Sequence, residues 1–566
     1  MTRQKTIQHY KENPDVSVLI VGAGVNGIGT FRDLALQDVD VLMVDRGDFC
    51  SGVSSGSSHM VHGGVRYLEN GEFRLVREAV KERNRLIQNA PHYVKPLQTV
   101  IPIFKWFSGI FNAPLRFIGM LTKPSERGAI IIKLGLIMYD AYTRGQGTVP
   151  KHQFWPRQTA FAKFPKINPK LLFAARYYDG SMHTPERICA EMVLDGENSS
   201  ENTHALNYVS LQSAAGNSVT LKDEVTGESF EVRPKFLINA AGPWIDFANK
   251  KMGKETQFIG GTKGSHLILD NPELRAAIGE NEFFFENKDG RIVLIFPLLD
   301  KVIIGTSDLP IDDPDDARCT EDEIDYFFEM VPLVFPDIPL KREQIVFQFS
   351  GVRPLPVAEA ANPGQISRDH SIRVTEPGEG TDFPIYSLVG GKWTSFRAFS
   401  EQVADKTLEF LNLSRKMDTR DLAIGGGRDY PKNSTDQGKL IENLANQTRL
   451  SSERISELFE RYGTRVKQIA SYISQGTDGP LNFLPGYSKR EIAFIAQQEK
   501  VIHLDDFLLR RSMLAKLGLV THTNLDEIAI IIGDHLSWSD EKRKLEIQRT
   551  RMLLKENHGV VLEQEQ

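Results

Sequence analysis

A short apolar run at residues 16–21 (VSVLIV) leads directly into Gly22-Ala23-Gly24-Val25-Asn26-Gly27. The run is rich in β-branched residues and reads as a strand covered on both faces. Ile28, Phe31 and Ala35 then recur at helical spacing, and a second apolar run at 39–44 (VDVLMV) ends in Asp45. Strand, glycine turn, helix and strand in this order predict a β-α-β unit with a right-handed crossover and parallel strands. Gly22 permits the tight turn, Gly24 lets a pyrophosphate approach the backbone, and Gly27 lets helix and strand pack closely. The helix N-terminus offers unpaired N–H groups to phosphate charge, and Asp45 can accept hydrogen bonds from ribose hydroxyls.

The unit does not repeat along the chain. Strand-like runs reappear only at 236–239, 292–296 and 302–304, separated by Pro-rich and aromatic stretches. This predicts an α/β fold whose nucleotide-binding lobe is assembled from residues 15–95, 190–245, 290–310 and 345–415. A second, substrate-binding α+β lobe is inserted at 96–189 and 246–344. Beyond Leu422 the texture becomes charged and helical, notably at 489–497, 505–513 and 539–555. Gly425-Gly426-Gly427 reads as a linker into a C-terminal helical domain at 425–566.

The chain has 566 residues, 40% hydrophobic and 25% charged, which is ordinary globular usage. A net charge of −6 offers no whole-chain basic field, so nucleic acid is not an expected partner. Cys50, Cys189 and Cys319 fit neither a disulfide framework nor a CxxC site, and without HExxH or a Cys/His cluster no metal is expected. The first fifteen residues hold no apolar run, which argues against a secretory leader. No stretch reaches the length of an uncharged spanning helix. The nearest approach, 101–139, is broken by charges and reads as a buried wall or a contact at the membrane surface.

Residues 51–66 (SGVSSGSSHMVHGGVR) crowd Ser54, Ser55, Ser57 and Ser58 ahead of Gly63-Gly64. Such hydroxyls and glycines can line a long polar ligand, and their place directly after Asp45 favours FAD over NAD. Residues 237–244 (LINAAGPW) form a strand running into Ala240-Ala241-Gly242, with Trp244 close behind. Gly390-Gly391-Lys392 precedes a helix predicted at 395–407, whose N-terminus could stabilise negative charge on a reduced flavin. Three cations adjoin glycine-rich loops: Arg66, Arg353 and Lys392. They suit an anionic substrate. His62 and His266, each beside glycine, are the proton-handling groups, and the sequence does not choose between them.

These motifs resemble, in order and along nearly the whole chain, the FAD-dependent (aerobic) glycerol-3-phosphate dehydrogenases. The resemblance rests on LIVGAGVNG (19–27), SSGSS (54–58), HGGVRY (62–67), NAAGPW (239–244), KGSH (263–266), IIGTSD (303–308), SGVRPL (350–355) and GGK (390–392). RYGTR (461–465) and residues 506–511 extend it into the C-terminal domain. It implies a D-amino-acid-oxidase-like flavoprotein that oxidises sn-glycerol 3-phosphate to dihydroxyacetone phosphate. Hydride would pass from C2 to flavin N5, and electrons to a quinone. Arg66, Tyr67, Arg353 and Lys392 would surround the substrate, with His62, His266 and Arg353 as the catalytic set. FAD would be held by Gly22, Gly24, Asn26, Gly27 and Asp45 and by the four serines. His62, Gly63, Gly64, Val209, Ala240, Ala241, Gly242, Trp244, Gly390, Gly391, Lys392 and Thr394 would complete its site. The family is usually peripheral at the inner face of a bacterial membrane or on the mitochondrial inner membrane; a homodimer stays open.

The pattern is broken in two places. Family members often carry an Asp-Asp-Ala-Arg-like tetrad where this chain has residues 181–187 (SMHTPER), and a basic residue where it has His59. If the altered loop overlies the substrate, a longer phosphorylated polyol such as a tetritol phosphate competes as substrate. An oxidase using dioxygen is a further alternative. An NAD-dependent dehydrogenase and a non-enzymatic nucleotide sensor are the rival readings from other classes; they predict a colourless protein and a flavin that substrate does not reduce.

Overall fold

The structure, a computed structural model, describes residues 2–65, 72–106, 129–143, 149–287, 291–357, 369–378 and 380–562. The opening unit forms as its pattern requires: β1 (Asp15–Val21), α1 (Val25–Leu36) and β2 (Val41–Val44), the strands parallel. Ile28, Phe31, Leu34 and Ala35 of α1 are buried, so the predicted helical stripe is the packed face. Helix α2 (Pro185–Glu197) lies against α1. Strand β3 (Ser229–Asn239) runs parallel to β1 on the side away from β2. Val21 is level with both Val44 and Asn239, so the first glycine turn, Asp45 and Ala240 emerge at the same edge. Ile385–Val389 and Ser371–Thr375 extend the sheet beyond β3, and Thr203–Leu206 beyond β2.

The second sheet is mixed, with ten strands among the described residues, and it includes β4 (Thr262–Leu269) and β5 (Ile345–Arg353) as antiparallel neighbours. Here the sequence-based division needs correction. Strands Ile292–Leu298 and Lys301–Gly305, and β5 itself, belong to this second sheet rather than to the nucleotide lobe. An apolar run covered on both faces looks the same in either sheet. The two-residue turn at Leu299-Asp300 marks an antiparallel hairpin, which both sheets contain, so it does not by itself assign these strands.

Helix α3 (Phe396–Phe410) packs on α1 and returns the chain to the nucleotide lobe. The C-terminal domain follows as helices, ending with α4 (Asp540–His558). Its core residues Ile455, Leu458, Ile492 and Ile528 share one cluster with Phe296, Ile303 and Phe347 of the second sheet. The predicted helix at 505–513 is shorter than expected, a single turn at Leu504–Asp506 continuing as a wider-pitched turn at Phe507–Arg511. Gly425–Gly427 is not a solvated linker either. Gly426 and Gly427 are buried, and the Gly426 amide donates to Glu191 Oε2 at 2.9 Å. Side chains there would strike the Tyr462 and Asn89 carbonyls, so glycine marks a close backbone crossing.

Candidate functional site

The glycines of the first turn are dictated by packing. Gly22 has φ +105°, and a Cβ on it would lie 2.6 Å from the Ala240 carbonyl; one on Gly27 would collide with the Gly22 carbonyl oxygen. The α1 N-terminus carries no side-chain cap of its own. Instead the Val25 amide donates to Ser54 Oγ at 2.9 Å, while Asn26 Oδ1 is buried without a partner. Asp45 accepts from the amides of Ala23 (2.6 Å) and Gly47 (2.8 Å), and burial pushes its carboxyl up to about 6. Ser55 and Ser57 work on their own loop. Ser55 Oγ donates to the Gly52 carbonyl and Ser57 Oγ to that of Ser54. Gly56 and Gly351 face each other so closely that a Cβ on Gly56 would lie 2.5 Å from the Ser350 carbonyl oxygen.

This crossing divides two cavities that share Gly24, Ser54, Gly56, Ala240, Gly242 and Gly351 as wall. The first, about 570 Å³, is lined by His62, His266, Arg353, Lys392, Tyr177 and Asp179. Strand alternation decides which part of Lys263-Gly264-Ser265-His266 reaches it. Gly264 and His266 face the cavity. Lys263 and Ser265 point behind the sheet, Lys263 Nζ to Glu323 Oε2 at 2.8 Å and Ser265 Oγ to Ser350 Oγ at 2.7 Å. His266 Nε2 lies 2.8 Å from Ser58 Oγ, its ring stacks on Phe349 at 4.8 Å, and its Nδ1 is buried without a partner. Burial, reinforced by the Arg353 guanidinium, pushes the imidazole down to about 3, so the ring is neutral.

Arg353 ends β5 beside Gly264, whose missing side chain gives the guanidinium its room. It donates to Asp308 Oδ1 (3.1 Å), Thr306 Oγ1 (3.0 Å) and the Ser307 carbonyl (3.2 Å). Lys392 follows Gly390 and Gly391, at φ +78° and +97°, where the chain turns into α3. Trp393 Nε1 donates to the Ser54 carbonyl at 2.9 Å, tying this second glycine loop to the serine loop. Thr394 and the His62 backbone exchange hydrogen bonds at 3.1 Å in both directions. Arg66 and Tyr67 lie outside the described residues.

Asp179 is a site residue that the motif reading passed over. Its Oδ1 accepts from the Gly63 amide (2.9 Å), Tyr139 Oη (2.6 Å) and Arg83 Nη1 (3.1 Å), all buried. The Tyr177-Tyr178-Asp179-Gly180 run was the available signal; nothing local connects it to Arg83 or Tyr139.

The second cavity, about 730 Å³, is lined by Asp45, Val209, Ala241, Trp244 and, from the far side, the C-terminal domain. Arg46 stacks on Trp244 at 4.7 Å, and Trp244 Nε1 donates to Asp315 Oδ1 at 3.1 Å. The end of the segment that departs from the family pattern reaches this side, while Ser181 and Met182 stay in the second sheet. Glu186 accepts from Lys516 Nζ at 2.5 Å and Arg187 pairs with Glu499, away from Arg353 and Lys392. His59 stacks on Phe349 at 5.5 Å, and its Nε2 lies 3.3 Å from Lys516 Nζ.

The residues fit FAD. A glycine turn packed backbone on backbone opens a helix whose N-terminus has no side-chain cap of its own, with a buried carboxylate beyond it and an orphaned Asn26 oxygen within it. Comparison with known proteins gives the same frame. Residues 17–372 match the family model described as FAD dependent oxidoreductase, and 417–543 the C-terminal domain of alpha-glycerophosphate oxidase. A glycerol-3-phosphate dehydrogenase of Synechocystis sp. is 32% identical over 96% of this chain and 97% of its own. The structure of glycerol-3-phosphate dehydrogenase from Bacillus halodurans complexed with FAD superposes with a TM-score of 0.75, at 21% identity, over 98% of this chain and 97% of that one. The L-alpha-glycerophosphate oxidase of Mycoplasma pneumoniae with FAD bound gives 0.52 at 16% identity, covering 72% of this chain and 98% of its own.

Proposed function

Because the chain belongs to the FAD-dependent glycerol-3-phosphate dehydrogenases, within the FAD dependent oxidoreductase family, we propose that it oxidises the C2 hydroxyl of sn-glycerol 3-phosphate to the ketone of dihydroxyacetone phosphate and passes the electrons to a membrane quinone. The observation that carries the reading is the meeting of Arg353 and Lys392 with His266 on one cavity. FAD, when bound, supplies the acceptor for the hydrogen and electron pair leaving C2. The first glycine turn would hold its pyrophosphate, Asp45 its ribose and the Gly390-Gly391 loop its ring.

The substrate's phosphate falls to Arg353 and Lys392. Asp308 and Thr306 already fix the Arg353 fork, so little orientational freedom is lost when a phosphate oxygen binds. His266 takes the hydroxyl proton, its ring placed by Ser58 and Phe349. Burial, and after it Arg353, disfavour the imidazolium in the free protein. A bound dianion cancels that charge, so the base strengthens when substrate is in place. Of residues 181–187, Glu186 and Arg187 bind the C-terminal domain rather than Arg353 or Lys392, which supports the three-carbon substrate over a tetritol phosphate.

Quinone as acceptor calls for membrane contact. No helix among the described residues is long and apolar enough to cross a membrane. Helix Ala129–Thr143 instead exposes Ile130 (48%), Leu134 (60%) and Ile137 (49%) along one stripe, near an exposed Trp106. This face is our proposed docking surface, with the protein peripheral to the bilayer.

The test is anaerobic bleaching of the yellow absorbance by a panel of phosphorylated polyols. Reduction by sn-glycerol 3-phosphate is expected. Bleaching by a tetritol phosphate alone overturns the substrate, and a colourless protein that takes up no FAD overturns the cofactor. Turnover with a quinone analogue should far outrun turnover with dioxygen; the reverse makes the protein an oxidase.

A further inference from the structure

The segments that build the adenosine-side cavity are the same ones on which the C-terminal domain docks. Asp48, three residues beyond Asp45, is fully buried and accepts from Arg511 Nη1 and Nη2 (2.8 and 2.9 Å), Arg510 Nε (2.5 Å) and Asn207 Nδ2 (2.8 Å). The two guanidiniums hold its carboxyl well below the usual range. Tyr208, which precedes the cavity residue Val209, donates to Asp506 Oδ1 at 2.5 Å, and Asp506 in turn pairs with Arg510 at 2.6 Å. Lys516 joins Glu186 and His59, the two departures from the family pattern.

The domain also supplies cavity wall directly, through Arg510, Lys516, Arg549, Asn557 and His558. His558 stacks on Phe347 at 4.3 Å, and its Nδ1 lies 2.8 Å from the Gln348 carbonyl. A carbonyl can only accept, so Nδ1 carries the hydrogen. Burial pushes this imidazole down to about 4, which leaves Nε2 as an acceptor for a ligand N–H.

We propose that the C-terminal helical domain is a wall of the FAD site, closing its adenosine half through the Asp48–Arg510–Arg511 contact and the α4 residues Asn557 and His558, so that cofactor retention and domain docking are one linked equilibrium. The inference rests on the FAD reading above. A ligand bound between two bodies holds them together by the same free energy with which they hold it. The bidentate Arg511–Asp48 fork is sensitive to small displacements, so undocking frees the loop at 45–48 as well as opening the wall.

Amide hydrogen exchange on the full-length protein, with FAD bound and after its removal, tests the link. Removing FAD should accelerate exchange at 45–50, 205–209 and 504–516 together, and leave helix Ser434–Thr448, which packs on the domain's own helices, unchanged. Arg511→Met should release FAD at least tenfold faster, read as the rise of free-flavin fluorescence. His558→Phe, which keeps the stack on Phe347 but loses the hydrogen bond to the Gln348 carbonyl, should also speed release, with a matching rise in the holoprotein's exchange at 504–516. Exchange at 504–516 that is indifferent to FAD overturns the proposal, whether or not Arg511→Met folds. A protein that takes up no FAD at all removes the underlying reading as well, so the two failures are distinct.

Discussion

Asp45 shows how one residue can be readable in role and unreadable in state. Its place after the second strand suits the ribose acid proposed above, yet only the fold shows both oxygens accepting backbone amides in a buried pocket. Its carboxyl titrates near 6 in the folded protein against about 3.8 in an exposed one. Between those values the folded state holds the extra proton. FAD-free protein therefore loses stability as pH rises through this window, by about 3 kcal/mol in all. The unfolding free energy from urea melts should fall by about 3 kcal/mol between pH 4 and 6.5, and Asp45→Asn should flatten the slope; an unaltered slope in the variant refutes the assignment. The histidines separate by kinetics. His266→Asn should slow anaerobic flavin reduction by about 10²–10⁴, the range of a lost general base. His62→Asn should leave most of the rate, and the opposite ranking would transfer the role to His62. Gly27→Ala should cost about 1–3 kcal/mol through overpacking against Gly22, seen as a lower Tm and lost flavin. Asp179 was illegible for a different reason: its partners, Arg83 and Tyr139, come from distant helices whose own patterns explain them as amphipathic surface and core.

At the scale of elements, periodicity served well where a strand carried chemistry on one face. Lys263-Gly264-Ser265-His266 had been read only as a motif, and alternation along β4 splits it into two working halves. Lys263→Met should therefore destabilise the protein by about 3–5 kcal/mol, since it strands the buried Glu323 carboxylate, while KM for the phosphorylated substrate holds. Lys392→Met should do the reverse, raising KM with little change in Tm. Thermal melts and steady-state kinetics on both variants decide the matter; a raised KM in Lys263→Met would return that lysine to the substrate. Periodicity failed where runs were apolar throughout, as at Ile292–Leu298, because burial on both faces erases any mark of which sheet receives the strand.

For the whole molecule, the sequence order of motifs revealed the α/β class and the helical C-terminus, while the sharing of one core between that terminus and the second sheet was hidden. Phe347 and Ile455 meet only through tertiary packing. The exposed stripe on Ala129–Thr143 is likewise a property of the assembled surface. Leu134→Glu with Ile137→Glu should reduce recovery on phospholipid vesicles about tenfold, a small part of what burying two such side chains can contribute, while flavin reduction in solution continues. Unaltered vesicle recovery would remove this face from membrane contact.

The triglycine at 425–427, buried at Gly426 and Gly427, makes the molecule indivisible at the place where it looks most easily cut. Glu191 collects His92, Tyr93, Arg465 and the Gly426 amide about one carboxylate, so a scission there leaves the severed halves each carrying part of an ion cage. A nicked chain should stay associated through gel filtration, whereas either fragment made separately should aggregate; swapping tails between relatives would have to carry Glu191 and Arg465 across as a matched set.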